Sequence, residues 1–293
     1  MASYFNKLKK HLNSAPSWLA DNIMFEGLTG SVSYGVSNDT SDMDIVGFCI
    51  PPKEIIFPHL NGSIPHFGTQ PERFRVYQQH HIKQDSKEYD IAIYNIVDFF
   101  QLAMENNPNM VDTLFLPRRC VLHSSPIYEH VRDNRKLFLH KGSWHKFRGY
   151  AYAQLSKIKN KSNSSNPKRQ ASIDEFGYDV KFAYHVVRLL LEIEQILAEG
   201  DLTLDRNSEI LKSIRRGEWE LERLQEWFDN KEKSLETLYA SSNIPYQPDE
   251  HKIKQVLMEC LEMHYGSLSS AIKIQPEIDT LINEMQSLID KYK

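Results

Sequence analysis

Between residues 30 and 50 the chain sets a glycine-bounded turn, Gly30-Ser31-Val32-Ser33-Tyr34-Gly35, ahead of Ser41-Asp42-Met43-Asp44, which runs on into the apolar segment Ile45-Val46-Gly47-Phe48-Cys49-Ile50. Side chains on a strand alternate faces, so Asp42 and Asp44 point the same way when this run is extended. Two carboxylates held side by side repel, and cations placed between them relieve the repulsion. The glycines ahead of them suit a turn whose backbone N–H groups open onto phosphate. No Lys-Ser or Lys-Thr follows Gly35, so this is not a Walker-type loop. Together the pieces describe a place to hold a metal-bound nucleoside triphosphate. An Asp-x-Asp pair in a Ser- and Asp-rich turn is also a common solvated loop, so the order of the pieces carries the reading.

That order (apolar segment, Gly-Ser, Gly, Ser-Asp-x-Asp, apolar segment) resembles the core motif of the DNA polymerase beta-like nucleotidyltransferase superfamily. Nucleotidyl transfer uses two Mg²⁺ ions about 4 Å apart, one at the attacking hydroxyl and one at the triphosphate. Asp42 and Asp44 supply two of the carboxylates such a pair needs, and Asp90 is the candidate third, as metal ligand and catalytic residue. It opens the β-rich run Ile91-Ala92-Ile93-Tyr94, with Glu88 as its rival two residues earlier on the same face. Gly30 and Ser31 are expected where a strand meets a helix N-terminus, with the Ser31 hydroxyl and backbone N–H groups reaching the β- and γ-phosphates. Ser41 is placed at the nucleotide as well, although its position also suits a cap on the approach to Asp42.

Strand signals cover 22–30, 44–50, 74–81 and 88–96, and a short helix is expected over 2–13. Asp98 is read as the cap of a helix running to about Asn106. Residues 51–72, rich in Pro, Gly and His, read as a long surface insertion. From about Pro117 helical periodicity takes over, with helices expected at 143–159, 178–199, 207–216, 218–240, 250–265 and 276–292, and a polar loop at 161–170. Strands followed by helices make the fold class α+β, and the resemblance implies a polymerase beta-like mixed sheet with flanking helices in residues 1–118, then an all-helical C-terminal domain, 119–293, that binds nucleotide and acceptor.

The 293 residues are 41% hydrophobic and 25% charged, as in an ordinary globular protein. No apolar run approaches the length of a bilayer. The three cysteines, Cys49, Cys120 and Cys260, lie far apart, which argues against a disulfide framework and for a reducing cytoplasm, that of a bacterium or a phage-infected host. The net charge of −4 conceals an uneven distribution, because residues 131–173 hold eleven Lys and Arg against the single acid Asp133. Such local excess is what a polyanion-binding surface looks like in sequence, and equally what a helix face balanced in space by acids looks like.

The helix 178–199 carries Lys181, His185 and Arg188 at spacings of four and three, one stripe along its surface, with Tyr184 beside it. A stripe of three cations is unfavourable unless an anion faces it, so contact with triphosphate or acceptor is one reading and a solvated basic face the other.

With these pieces in hand the resemblance narrows. Gly-Ser-x-x-Tyr-Gly with Ser-Asp-x-Asp (30–44), the Asp90 strand, Asn106-Asn107-Pro108-Asn109 running to Leu114-Phe115, Gly149-Tyr150-Ala151 with Gln154, Lys181-x-x-Tyr-His-x-x-Arg (181–188) and Gly217-Glu218 after Ile214-Arg215-Arg216 resemble the phage and bacterial RNA repair pathway nucleotidyltransferases (the RlaP type). The resemblance implies a Mg²⁺-dependent transferase, with Mn²⁺ as a substitute ion, an NTP donor such as ATP, and a link to RNA repair. The acceptor stays open: an RNA end guided by the basic stretch 131–173, or a protein hydroxyl. A module that binds nucleotide or RNA without turnover is the third reading, disfavoured because a mere binder gains little from packing like charges together.

Overall fold

The computed structural model describes residues 3–38, 41–57, 59, 62–66, 68, 72–160, 164, 166–267 and 285. Helix α1 (Tyr4–Leu8) leads into β1 (Ile23–Leu28), β2 (Met43–Cys49), the single turn α2 (Lys53–Ile56), β3 (Val76–Gln84) and β4 (Lys87–Asn95). Then come α3 (Ile96–Met104), α4 (Pro108–Leu114), β5 (Val121–Ser124) and α5 (Pro126–Asp133). The further elements among the described residues are helices: α6 (Gly142–Asn160), α7 (Pro167–Phe176), α8 (Val180–Glu199), α9 (Ser208–Arg215), α10 (Leu221–Ser241) and α11 (Glu250–Tyr265).

The strands form one mixed sheet in the order β3-β4-β2-β1-β5. Among the described strands only β2 and β4 run parallel; the other pairs are antiparallel. The parallel pair brings the strand after the glycine turn beside the strand that carries Asp90. β1 is buried along its whole length, as expected of a central strand covered on both faces. Phe25 stacks on Tyr128 of α5 with centroids 4.0 Å apart, and Phe48 of β2 meets Phe99 of α3 at 5.0 Å, fixing the helices on the sheet through aromatic contacts. The fully buried Glu26 of β1 accepts from the backbone N–H groups of Tyr4 and Phe5, both at 2.7 Å, and so anchors the N-terminal end of α1.

The mixed sheet with flanking helices, and the helices that follow it, are as expected. Three details differ. β5 lies beyond residue 118 and pairs with β1, so the sheet draws on residues past the expected division between the halves; a four-residue strand between helical segments has too little period to show in sequence. Helix α3 is capped by Asn95, whose side chain accepts from the Val97 N–H, rather than by Asp98; Asp98 instead bonds Arg75 at 2.7 Å. Helix α7 begins within the segment read as the polar loop. The helix expected at 276–292 lies outside the described residues except for Met285. Helix α8 ends as expected, at Gly200 in the left-handed conformation (φ 60°).

Candidate active site

β2 and β4 pair with Asp44 directly opposite Asp90, so the two side chains leave the same face of the sheet on neighbouring strands. Glu88, two residues earlier in β4, lies beyond this pair and is bonded to His81. Asp42 stands exposed one residue before β2. Burial, then the Asp90 carboxylate and more weakly Asp42, raise the Asp44 carboxyl above its ordinary range, while Lys181 and His80 pull it down. Four charged or titratable groups therefore act on one carboxylate, and they come from the segment just before β2 and from β3, β4 and α8.

The glycine turn closes over Asp44. Thr29 donates its backbone N–H to the Asp44 carbonyl at 2.8 Å, and Gly30 has φ 63° with the Asp44 carboxylate where its Cβ would be. A side chain at position 30 would meet both a left-handed backbone and a blocking carboxylate. Residues Gly30–Val32 form a single 3₁₀ turn, not the start of a regular helix; Ser33, whose Oγ donates to the Gly30 carbonyl at 2.9 Å, closes it. Helical-half arginines hold the far side: Arg215 of α9 donates to the Val36 carbonyl at 2.9 Å, and Arg119 to that of Ser33 at 3.3 Å. Ser31 lies half-buried in this turn. The Ser41 hydroxyl accepts from the Asn38 N–H at 3.0 Å and donates to its Oδ1 at 2.9 Å, a turn-closing role.

The stripe on α8 divides. Lys181 is exposed and its charge reaches Asp44. His185 is held neutral: burial, reinforced by Arg188, Lys181, Arg169 and Arg215, pushes its imidazole well below the ordinary range. Arg188 is turned inward. Its Nη1 bonds Asp112 of α4 at 2.6 Å and Glu192 at 3.3 Å, and also meets the Tyr34 hydroxyl, which in turn donates to Asp112. All four side chains are buried. The anion that offsets this cation is therefore Asp112 together with Glu192, not a ligand. Tyr184 is buried edge-on to Tyr34, 6.3 Å between centroids. Of the four positions read as nucleotide contacts on α8, only Lys181 faces the carboxylates from the exposed surface.

The basic stretch is largely answered in space. Lys136 pairs with Asp201 at 2.6 Å, Arg148 with Glu232 at 2.6 Å, Arg169 with Asp179 at 3.5 Å and Lys146 with Glu105 at 3.8 Å. Arg132 donates to the Leu116 carbonyl at 2.7 Å, and Lys141 is buried near Tyr239 and Tyr246. Lys157 and Lys159 remain exposed. Lys161 and the side chain of Lys168 lie outside the described residues. The pairing acids come from distant segments, which is why a count along 131–173 overstated the free charge.

Among the described residues no three His, Cys, Asp or Glu side chains stand close enough to hold a metal ion by themselves. The donor set still suits a hard divalent ion, because Mg²⁺ is commonly bound by one or two carboxylates with the rest of its shell from water and substrate phosphate. Asp44 and Asp90 provide that pair, in a setting whose mutual repulsion a cation would relieve.

Compared with known families, the sequence profile described as the RNA repair pathway DNA polymerase beta family matches residues 3–258. The chain belongs to this family. The match takes in the whole sheet, the Gly30 turn, Asp44, Asp90 and the helices as far as α11. Membership of the polymerase beta family makes the chain one of the nucleotidyltransferase type, a type that uses NTPs and divalent metals, with a tie to RNA repair. A search of curated proteins finds no match. Among solved structures the chain is similar to a nucleotidyltransferase-like protein from Exiguobacterium sibiricum, at 9% identity, a TM-score of 0.28, and coverage of 83% of this chain and 74% of that one. Among the described residues no helix is long and apolar enough to cross a membrane.

His80 and His81 were absent from the sequence reading of the site. His80 Nδ1 lies 3.2 Å from Asp90 Oδ2, and the His81 backbone N–H donates to Asp90 Oδ1 at 2.8 Å. The available signal was the pair of polar histidines at the end of the segment 74–81, opposite a candidate ligand strand.

Proposed function

We propose that this protein transfers a nucleoside monophosphate from an NTP to a hydroxyl on RNA. The acceptor oxygen attacks the α-phosphorus, a new P–O ester forms, the bond to the β-phosphate bridging oxygen breaks, pyrophosphate leaves with that electron pair, and the hydroxyl proton is released to solvent. The observation that carries the reading is Asp44 in register with Asp90 beneath the Gly30 turn, with Lys181 facing them. Asp44 and Asp90 would hold Mg²⁺, with Mn²⁺ able to replace it, and Asp42 adds a further carboxylate at the mouth of β2. The ion, when bound, supplies Lewis-acid stabilisation of the charge that develops on the transferring phosphate and leaving pyrophosphate.

The protein's own residues do the positioning. The Gly30–Val32 turn, with Ser31 in it, offers backbone room to the phosphate chain, and Lys181 adds a cation at its outer end. Arg188, Tyr184 and His185 support α8 behind that cation rather than touching the nucleotide. The family's tie to RNA repair supports RNA as acceptor, and the exposed Lys157 and Lys159 supply cations for its backbone. Cys49, Cys120 and Cys260 are buried free thiols, in keeping with a reducing cytoplasm.

The test is to incubate the protein with each labelled NTP in turn, ATP first, with Mg²⁺ and with RNA or protein extract, and to identify the labelled product. Labelled RNA is the expected result. Labelled protein would replace the acceptor in this reading, and no label in either fraction would leave a binding module. RNA binding should also weaken steeply with salt, since phosphate contacts release counterions.

Lys181→Ala is expected to weaken NTP binding roughly 10- to 100-fold, the loss of one charge-assisted contact. Equilibrium binding of a labelled NTP measures it, and an unchanged affinity would move Lys181 out of the triphosphate site.

A further inference from the structure

Strand β3 carries one residue too many opposite Asp90. Gln79 pairs with Ile91 and Ile82 with Tyr89, which leaves His80 and His81 together against the single residue Asp90. This is a β-bulge, in which the extra residue is released from the ladder and its side chain and N–H are re-aimed. His81 adopts φ 57°, a left-handed conformation uncommon for a residue with a side chain. In a regular antiparallel ladder an N–H at this point would pair with a backbone carbonyl or face outward. Here the His81 N–H is free to donate to Asp90 Oδ1, at 2.8 Å, while His80 Nδ1 sits 3.2 Å from Asp90 Oδ2. Both oxygens of the one carboxylate are thus engaged by the bulge.

Stability does not account for the arrangement. The side chains of His80 and His81 are 58% and 79% exposed, and exposed ion pairs add little to folding. A left-handed residue works against folding. The bulge also lies at the one point of β3 that faces the Asp44–Asp90 pair.

We propose that the β3 bulge aims Asp90, with His80 as a positioning residue that fixes this carboxylate in one orientation beside Asp44 so that the two receive a divalent cation together with the triphosphate. The proposal rests on the reading that Asp44 and Asp90 hold that cation. Metal ligands are commonly oriented by a second ring of hydrogen bonds, and losing one such partner typically costs 10- to 100-fold in metal affinity or activity. The His81 N–H fills that place by hydrogen bond and His80 adds an ion-pair contact, from a strand that supplies no ligand of its own.

The experiment is a titration of the nucleotide-free protein with Mn²⁺ alone, followed by electron paramagnetic resonance of the free ion, with melting temperature recorded in parallel. His80→Ala, and a variant lacking His81 in which the regular ladder is restored, should each weaken Mn²⁺ binding roughly 10- to 100-fold at unchanged melting temperature. His80→Gln, which keeps a side-chain N–H donor, should retain most of the affinity. Asp90→Asn serves as the reference for loss of the ligand itself. Wild-type affinity in His80→Ala alongside loss in Asp90→Asn overturns the aiming role and leaves the metal reading standing. Wild-type affinity in Asp90→Asn overturns the metal reading at Asp90. Should the variant lacking His81 fail to fold, His80→Ala, a change at an exposed side chain, decides alone.

Discussion

Asp44→Asn is expected to reduce nucleotidyl transfer by roughly 10³-fold or more while leaving the fold intact. Each 1.36 kcal/mol of lost transition-state stabilisation is tenfold in rate, and a metal at a transferring phosphate supplies several kcal/mol. The substitution keeps the shape of the side chain and removes the charge that would hold the cation. It also removes a strain on the folded state. The Asp44 carboxyl is raised by burial and by Asp90, so the folded chain holds this proton more tightly than the unfolded one. The sign follows from linkage: wild-type stability from this group is greatest at low pH and is lost as pH rises through the raised folded-state value. At neutral pH the Asn variant should therefore melt at or above the wild-type temperature, and its advantage should shrink as pH falls through the carboxylate range. Labelled-nucleotide transfer and melting curves at several pH values check both halves. Undiminished transfer would remove Asp44 from the chemistry, and a folding defect at neutral pH would contradict its electrostatic account.

Arg188→Ala has the other large expected effect, and it falls on stability. Removing one partner from a buried ion pair typically costs about 3–5 kcal/mol, because the partner left behind is buried without a counter-charge. Arg188 is joined to Asp112, Glu192 and Tyr34, all buried. Burial pushes the Glu192 carboxyl well above its ordinary range and raises that of Asp112 as well, each against the pull of Arg188, so both acids lose their counter-charge with the guanidinium. Urea denaturation should show the loss as a lower midpoint with an unchanged slope. Tyr34→Phe, which removes one hydroxyl from the same network, should cost about 1 kcal/mol. A stable Arg188→Ala protein with weakened NTP binding would reverse the assignment, and would return Arg188 to the triphosphate.

The contrast between Asp44 and Arg188 shows what was legible in the sequence. The Asp42/Asp44 motif, the glycine turn and the strand of Asp90 are local patterns, written within a few residues, and period and spacing expose them. The preference for Asp90 over Glu88 rests on the apolar run that follows it, and strand pairing places it opposite Asp44. Arg188 lay on a stripe with Lys181 and His185, and the stripe is real. Periodicity says which residues share a helix face but not what that face meets. The acid that meets Arg188 at Asp112 comes 76 residues earlier in the chain. Of the two readings of the basic stretch 131–173, pairing with acids elsewhere in space accounts for several of its cations for the same reason, since Asp201, Glu232 and Asp179 lie outside it. β5 was too short to have a period, and the β3 bulge is a matter of pairing between strands, invisible in either strand alone.

By itself, the sequence determined the element types, the order of strands then helices and the carboxylate motif, because backbone preference and side-chain alternation act over a few residues. Tertiary structure alone decided which charges are spent inside the molecule and which remain for a ligand. A cation's fate depends on the nearest acid in space and on the water excluded around it, and neither is a property of chain order. Folding turns Arg188 toward Asp112 and leaves Lys181 facing Asp44, although the two cations stand seven residues apart on one helix.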